Sequence, residues 1–476
     1  MKNNLFFLFL IILWGVPTTA HPQSQSEKFT LQKCIEYALT NSYASKNAEL
    51  DKEISKARIR EIIGLGLPQL SGDFTVIHNA KLPRFFTTYK PNNGTGFLDD
   101  ELSKNIPNLQ PGSIVAAENF FQLKSIGQAS VAASQMIFNG SYFVGLKAAD
   151  QFKQLANINS EQARQNIIQQ TTKAFYTALI NKERTVIFDV NRARLDTLLR
   201  NTKAMRQNGF AESIDVDRVQ VLYNNLKTEQ DNFNRLSELS IAALKQVINF
   251  PIDRPLNIEG DIKDVQLSTL EDLAQGDYQN RPDYKMMESN VKFQALNLKN
   301  KRVSAWPTLF AIANWGYMTQ SPDVGGLFKT RTQINDLPIV GPDKWYNYYN
   351  LGIDLKIPLF SGMQYRYQVQ QEKLKLAQTE NNLRAFESGV QLEIQNANTM
   401  LSNAMTMLES QKQNMALAEK VARVTKIKFE QGVGSNLEVI TAESDLRQAQ
   451  TNYYNALYTA INAKADRDKA YGIIKQ

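Results

Sequence analysis

Few residues in this sequence could do chemistry. Its only histidines are His21 and His78, and its only cysteine is Cys34. A zinc site needs several His, Cys or carboxylate ligands at short, recurring spacings, and neither histidine has such company. Nucleophilic catalysis needs a hydroxyl or thiol beside an oriented base. Cys34 instead sits inside "LQKCIEYAL", a helix-like pattern in which a small thiol reads as buried packing. No Gly-x-x-x-x-Gly-Lys loop offers a phosphate cradle. The acids on the long helix-like stretches lie on solvated faces, the ordinary place for surface acids. The expectation is therefore no enzyme, no cofactor and no bound metal. A single cysteine also excludes an intramolecular disulfide.

Without a catalytic cluster, the information must lie in the elements. The chain has 476 residues, 43% hydrophobic and 21% charged, with a net charge of +7. Bases alternate with acids and amides throughout, with no basic block, so nucleic acid is not an expected partner. The start, "MKNNLFFLFLIILWGVPTTA", places a lysine before an apolar run and ends on small residues. That is the layout of a cleaved signal peptide over residues 1–20, and the apolar run is too short to span a bilayer. Cys34 lies well past it and does not read as a lipid-bearing cysteine. The mature chain is expected to be exported.

Internal repetition follows. "LQKCIEYALTNSYASKNAEL…LPQL" aligns without gaps on "LEDLAQGDYQNRPDYKMMES…WPTL", so that Leu31 meets Leu270, Asn41 meets Asn280 and Pro68 meets Pro307. Further on, "QMIFNG" and "IPLFSG" pair Phe138 and Gly140 with Phe360 and Gly362. Gly209 in "MRQNGFAESIDV" pairs with Gly432 in "KFEQGVGSNLEV". The expected organisation is a signal at 1–20 and two structural repeats, 21–260 and 261–476.

Each repeat reads alike. A helix (Leu31–Ile63, then Pro282–Ala305) ends at a proline. A strand, a turn-rich loop and a second strand then lead to the Phe-polar-Gly junction. Beyond the junction, Leu146–Asn208 holds no glycine or proline, and Met363–Gln431 holds only Gly389. At ~1.5 Å per residue these helices would run roughly 95–100 Å. Phe152, Leu155, Ile158, Ile167, Ala174, Ala178, Val186 and Val190 form a narrow apolar stripe that calls for helical neighbours. After Gly209 and Gly432 the chain turns back into helices at Ser213–Asn249 and Leu437–Tyr471. Each repeat thus builds a long antiparallel hairpin with its tip at the glycine.

Read with period two, "YNLGIDLKIPLF" puts Tyr349, Leu351, Ile353, Leu355, Ile357 and Leu359 on one face. Asn350, Gly352, Asp354 and Lys356 fall on the other. In an exported chain with long turn-rich loops, such strands fit an outer-membrane barrel. Four strands cannot close a barrel, and an open edge in lipid leaves backbone groups unpaired. The strands must be shared between subunits, eight from two chains or twelve from three. The other reading of the hairpins is a soluble periplasmic coiled-coil adaptor or structural protein, which would not need two amphipathic strand pairs.

These features together resemble the TolC family of outer-membrane efflux and secretion channels. The resemblance is carried by "LQKCIEYALTNS", by Pro-x-Leu after each first helix, by "NRPD" at Asn280–Asp283, by the paired junctions and by the two glycine tips. The closing segment from "KFEQGVGSNLEV" to "KAYG" is also similar. The resemblance implies an α+β membrane protein and a homotrimer. Each chain would give four strands to a shared barrel in outer-membrane lipid and its hairpins to a periplasmic tunnel. A mixed belt would draw on the N-terminus, Phe250–Gln275 and the C-terminal end. It further implies a passive export duct in a tripartite efflux or type I secretion assembly, with an inner-membrane transporter and a periplasmic adaptor as partners.

Carried residue by residue, the family pattern puts the adaptor at the tips, beside Gly209, Phe210 and Ala211 through Ser213, and Gly432, Val433 and Gly434 through Asn436. It puts a tunnel gate at Asp215 and Glu438. The second acidic gate position after the later tip is Thr441 here, and Phe429 stands where a latching tyrosine is common. From the residues alone, Asp215 and Glu438 are equally acids near helix N-termini, where the helix dipole favours them.

Overall fold

The computed structural model of the protein describes residues 28–90, 106–119, 121–260, 262, 278–329 and 345–473. The expected signal segment, much of the first loop and most of the second, and 263–277 lie outside the described residues. β1 (Lys28–Phe29), α1 (Leu31–Asn41) and α2 (Tyr43–Gly64) come first. β2 (Gln69–His78), a ribbon of β3 (Arg84–Thr88) and β4 (Ile114–Glu118), and β5 (Ser125–Phe138) precede α3 (Gly140–Gln207) and α4 (Ser213–Ile248). β6 (Asn257–Ile258), a 3₁₀ turn (Tyr278–Asn280) and α5 (Pro282–Val303) lead to β7 (Thr308–Ser321), the short α6 (Val324–Lys329) and β8 (Tyr346–Lys356). α7 (Gln364–Glu430) and α8 (Asn436–Ala470) follow.

The expected long helices form, 68 residues in α3 and 67 in α7, several times an ordinary globular helix. Gly389 is absorbed into α7, at a propensity cost of about 1 kcal/mol relative to alanine. The expected first helix is two. Ser42 turns to an extended conformation (ψ 146°), and its hydroxyl accepts from the Ser45 amide, capping the start of a new helix.

Two compact units emerge, each assembled from separated segments. One takes residues 1–52, 156–288 and 383–476. Its core joins Phe29, Cys34 and Ala38 to Phe175, Ala178 and Leu179 of α3, Leu244 and Ile248 of α4, and Ile258. β1 and β6 pair in parallel over it, so the segment around residue 28 and the stretch after α4 make one small sheet. Phe29, Tyr37 and Phe250 pack ring against ring at 5.6–5.9 Å. The expected stripe on α3 holds at Ile167 and Ala178 but not at Val186 and Val190, which are more than half exposed. A helix this long does not keep one fixed face inward, because 3.6 residues per turn drifts against any seven-residue repeat.

The other unit takes residues 53–155 and 289–382. Its centre is an antiparallel sheet in the order β2-β5-β7-β8. The strands run 10–14 residues, the length that crosses a bilayer when tilted. Among the described residues, both outer strands, β2 and β8, carry an unpaired edge. The loops are less irregular than their composition suggests, since they hold the β3–β4 ribbon and α6.

β8 differs from its reading. It ends at Lys356, so Ile357 and Leu359 lie beyond the strand. Pro358 has no amide hydrogen to give a ladder and fixes its own φ, which stops the strand two residues early.

Candidate functional site

The register of the sheet sorts its side chains into two faces. Leu355, Ile353, Leu351 and Tyr349 of β8 stand opposite Leu309, Ala311, Ala313 and Trp315 of β7. That row continues through Ala133, Val131 and Ala129 of β5 to Leu70, Gly72 and Phe74 of β2. It is apolar across all four strands. Leu351 is 81% exposed and Ile353 71%, so no described residue covers them. The opposite face is mixed: Ser71, Asp73 and Thr75, Gln128, Ser130 and Ser134, Asn314 and Gln320, and Asn350 and Asp354 share it with Met136, Phe310, Ile312 and Met318. There Asn314 Nδ2 donates to Asn350 Oδ1 at 2.9 Å, and Gln128 Nε2 donates to the Tyr348 hydroxyl at 2.7 Å. The first face is thus apolar over most of its length, apart from Gln135 opposite Ala311 and a polar end at Ser125, Thr319 and Ser321.

The two junctions are alike in sequence but not in geometry. At the first, β5 ends on Phe138 and α3 begins at Gly140. Phe138 stacks on Trp306 at 6.4 Å, and a Cβ on Gly140 would press into Val303 and Trp306. Close approach explains this glycine. At the second, residues 357–363 form an irregular connection, Phe360 is 81% exposed, and Gly362 and Met363 take φ of +60° and +65°. Positive φ explains this one.

The tips do repeat. Gly209 and Gly432 both adopt φ +77°. The amide after each glycine donates back to close the helix, Phe210 to the Met205 carbonyl at 2.8 Å and Val433 to the Lys428 carbonyl at 3.0 Å. This is the Schellman ending, which satisfies carbonyls that a helix terminus would leave orphaned. Phe210 and Val433 are then thrown outward, 78% and 75% exposed. Ala211 and Gly434 are half-buried, and no Cβ fits at Gly434 without crowding Phe429 and Lys428 backbone.

Just past the tips, Asp215 Oδ2 accepts from the Glu212 amide at 3.2 Å. Glu438 is exposed, and its amide donates to the Ser435 hydroxyl at 3.2 Å. Thr441 is exposed and bonds its own helix through the Leu437 carbonyl. Phe429 is buried in a cluster with Leu198, Val216 and Val439, so its ring serves packing. Asn436, which the sequence reading named only as the edge of the tip, is buried and donates from Nδ2 to the Asp215 carbonyl at 3.2 Å, tying one tip to the other. Farther along, Arg447–Glu229 at 3.2 Å and Lys173–Asp466 at 2.5 Å link α8 to α4 and α3.

"NRPD" also gains a physical role. Arg281 is 4% exposed and grips Asp283 with two nitrogens at 2.7 and 3.0 Å. It also meets Glu393 of α7 at 2.9 Å and the Ala470 carbonyl of α8 at 3.0 Å. Burial by itself lowers the guanidinium pKa, but the bonds to Asp283 and Glu393 outweigh it and hold the group above its ordinary value. Alternation of Arg with Asp two residues on is too common to reveal this clamp in a sequence. Among the described residues, no group of three His, Cys, Asp or Glu could hold a metal. No described helix is long and apolar enough to cross a membrane.

Residues 278–472 match the family described as Outer membrane efflux protein. The chain is 21% identical over 330 residues to a probable efflux pump outer membrane protein, TtgC, of Pseudomonas putida, a match covering 66% of this chain and 63% of that protein. It is 19% identical over 350 residues to the outer membrane protein TolC of Vibrio cholerae, covering 73% and 77%. The matched region thus spans under two thirds of TtgC. In structure it is similar to the outer membrane protein VceC of Vibrio cholerae, with a TM-score of 0.66, 15% identity and coverage of 93% and 96%. The open state of the MtrE outer membrane channel of Neisseria gonorrhoeae gives a TM-score of 0.66 at 17% identity, covering 93% and 88%.

Proposed function

We propose that the chain is a TolC-family channel and the outer-membrane duct of a tripartite efflux or type I secretion assembly, a reading supported by the family match over 278–472 and by the similarity to TtgC, TolC and VceC. The carrying observation is the four-stranded sheet, mostly apolar on one face, richer in hydrogen-bonded polar residues on the other and, among the described residues, unpaired at both edges. Three copies pairing β2 of one with β8 of the next close a twelve-stranded barrel, wide enough for a lumen. The apolar face meets lipid, and the Asn314–Asn350 face lines the pore. Both repeats, 21–260 and 261–476, then contribute one strand pair and one helical hairpin, and the hairpins α3–α4 and α7–α8 wall the periplasmic tunnel.

The exposed Phe210 and Val433 on rigid Schellman turns are the surface offered to a periplasmic adaptor, which links the duct to an energised inner-membrane transporter. Asp215 and Glu438 form the gate, three copies of each carboxylate around a narrow axis. Thr441 supplies no charge there, and Phe429 holds the closed arrangement by packing rather than through a hydroxyl.

Membrane fractionation followed by planar-bilayer recording tests the proposal. The protein is expected in the outer membrane, and the purified material should add conductance in uniform steps. Recovery wholly in the soluble periplasm, with no conductance steps, would overturn it.

A further inference from the structure

The apolar rows of the sheet stop short of its loop end. On the outward face they run from Leu309 to Tyr317, eight residue steps along β7. At ~3.4 Å per residue and a tilt of ~40° this stands about 20 Å tall, less than the ~25 Å apolar band of such barrels. Beyond Tyr317 the same face turns polar, with Ser125, Thr319 and Ser321. These three hydroxyl residues are at most 3% exposed.

What covers them is α6. It packs on β5 and β7 with Leu327 fully buried, and Asp323 Oδ1 caps its start by accepting from the Gly326 amide at 2.7 Å. Gly326 rests directly on the Ser321 side chain, where no Cβ would fit. Trp345 lies over Gly127 on the same face, stacks on Phe74 at 6.4 Å, and donates from Nε1 to the Leu327 carbonyl at 3.1 Å. The outer surface of α6 then presents Phe328, 66% exposed, and Val324, 39% exposed. A polar patch on the lipid side has been replaced by apolar side chains, with an indole beside them.

We propose that α6 and Trp345 form an interfacial collar on the outside of the barrel, seating Phe328 and Val324 at the boundary between acyl chains and headgroups of the outer membrane. The occupant is lipid because Phe328 and Val324 adjoin the apolar part of the sheet face through Trp345 and Phe74, while Asp323 and Lys329, exposed at the two ends of α6, suit headgroups, an arrangement that belongs at the membrane interface. This rests on the barrel reading above.

Spin labels test it in the full chain with Cys34→Ala, reconstituted in liposomes. Labels at Phe328→Cys and Val324→Cys are compared with Ile353→Cys on the lipid face and Asn350→Cys on the lumen face. Oxygen concentrates in lipid and a nickel chelate in water. The expected oxygen-to-nickel accessibility ratio at 328 and 324 is at least threefold that at 350 and below that at 353. A ratio at both collar sites equal to that at 350, or inaccessibility to both probes because another part of the chain covers them, would overturn the collar while Ile353→Cys still reports lipid. Water at 353 as well would overturn the barrel reading itself.

Discussion

Arg281 shows how one side chain can hold helices together. Its guanidinium reaches the start of α5, the flank of α7 and the last carbonyl of α8. Arg281→Met removes the charge yet keeps much of the volume, leaving Asp283 and Glu393 without their partner. Because Glu393 is 44% exposed, water softens the loss, and a destabilisation of about 2–3 kcal/mol is expected. Denaturant titration of the purified protein checks it, with Arg281→Lys falling between the two. Cys34 makes a different prediction. Burial pushes its thiol up to about 12 from an ordinary value of 9.0. The folded chain therefore keeps a proton that the unfolded chain releases, so this contribution is complete below pH 9 and is lost as pH rises toward 12. At pH 8 a maleimide should leave native Cys34 unlabelled and label it fully in denaturant. Rapid labelling of the native protein would contradict this packing.

At the scale of elements, the proposed barrel turns consecutive residues of β8 alternately to lipid and lumen. Ile353→Arg puts a charge on the apolar face, at a cost of up to ~2–4 kcal/mol near mid-membrane, whereas Asn350→Arg faces water. Outer-membrane recovery should fall for the first and not for the second. Equal recovery would mean that the faces are reversed. The long helices, the tip glycines and this strand were legible in the sequence because each leaves a periodic or conformational signature. Sixty-odd residues without a breaker can hardly be anything but helix, and a glycine between two such runs marks a turn. The break at Ser42 was not legible, since a serine inside an apolar helical pattern is usually tolerated. Nor was the end of β8, where period two carried on past Pro358 although the ladder could not. The collar helix was hidden because six residues with two glycines look like loop. Its formation depends on Ser321, Thr319 and Trp345, which meet it only in the folded sheet. Arg281 and Asn436 escaped for a related reason, as their partners lie 189 and 221 residues away.

For the whole molecule, charge and symmetry set the expected behaviour. In the proposed trimer, rings of Asp215 and Glu438 around a narrow lumen would focus a negative potential and favour cations, although the chain itself carries +7. In planar bilayers with a salt gradient the purified channel should conduct cations preferentially, and Glu438→Gln with Asp215→Asn should weaken that preference. An unchanged reversal potential would leave both as helix-terminal acids and place the gate elsewhere.

The central claim is that this sheet is a fragment of a barrel, completed by two more copies of the same chain. Among the described residues both edges of the sheet are unpaired in one copy, and lipid offers no hydrogen bonds to satisfy them. Native mass spectrometry of the protein extracted from the outer membrane in mild detergent measures the number of copies directly. A single species at three times the mass of one mature chain is the expected result. A monomer stable across detergents would contradict the account.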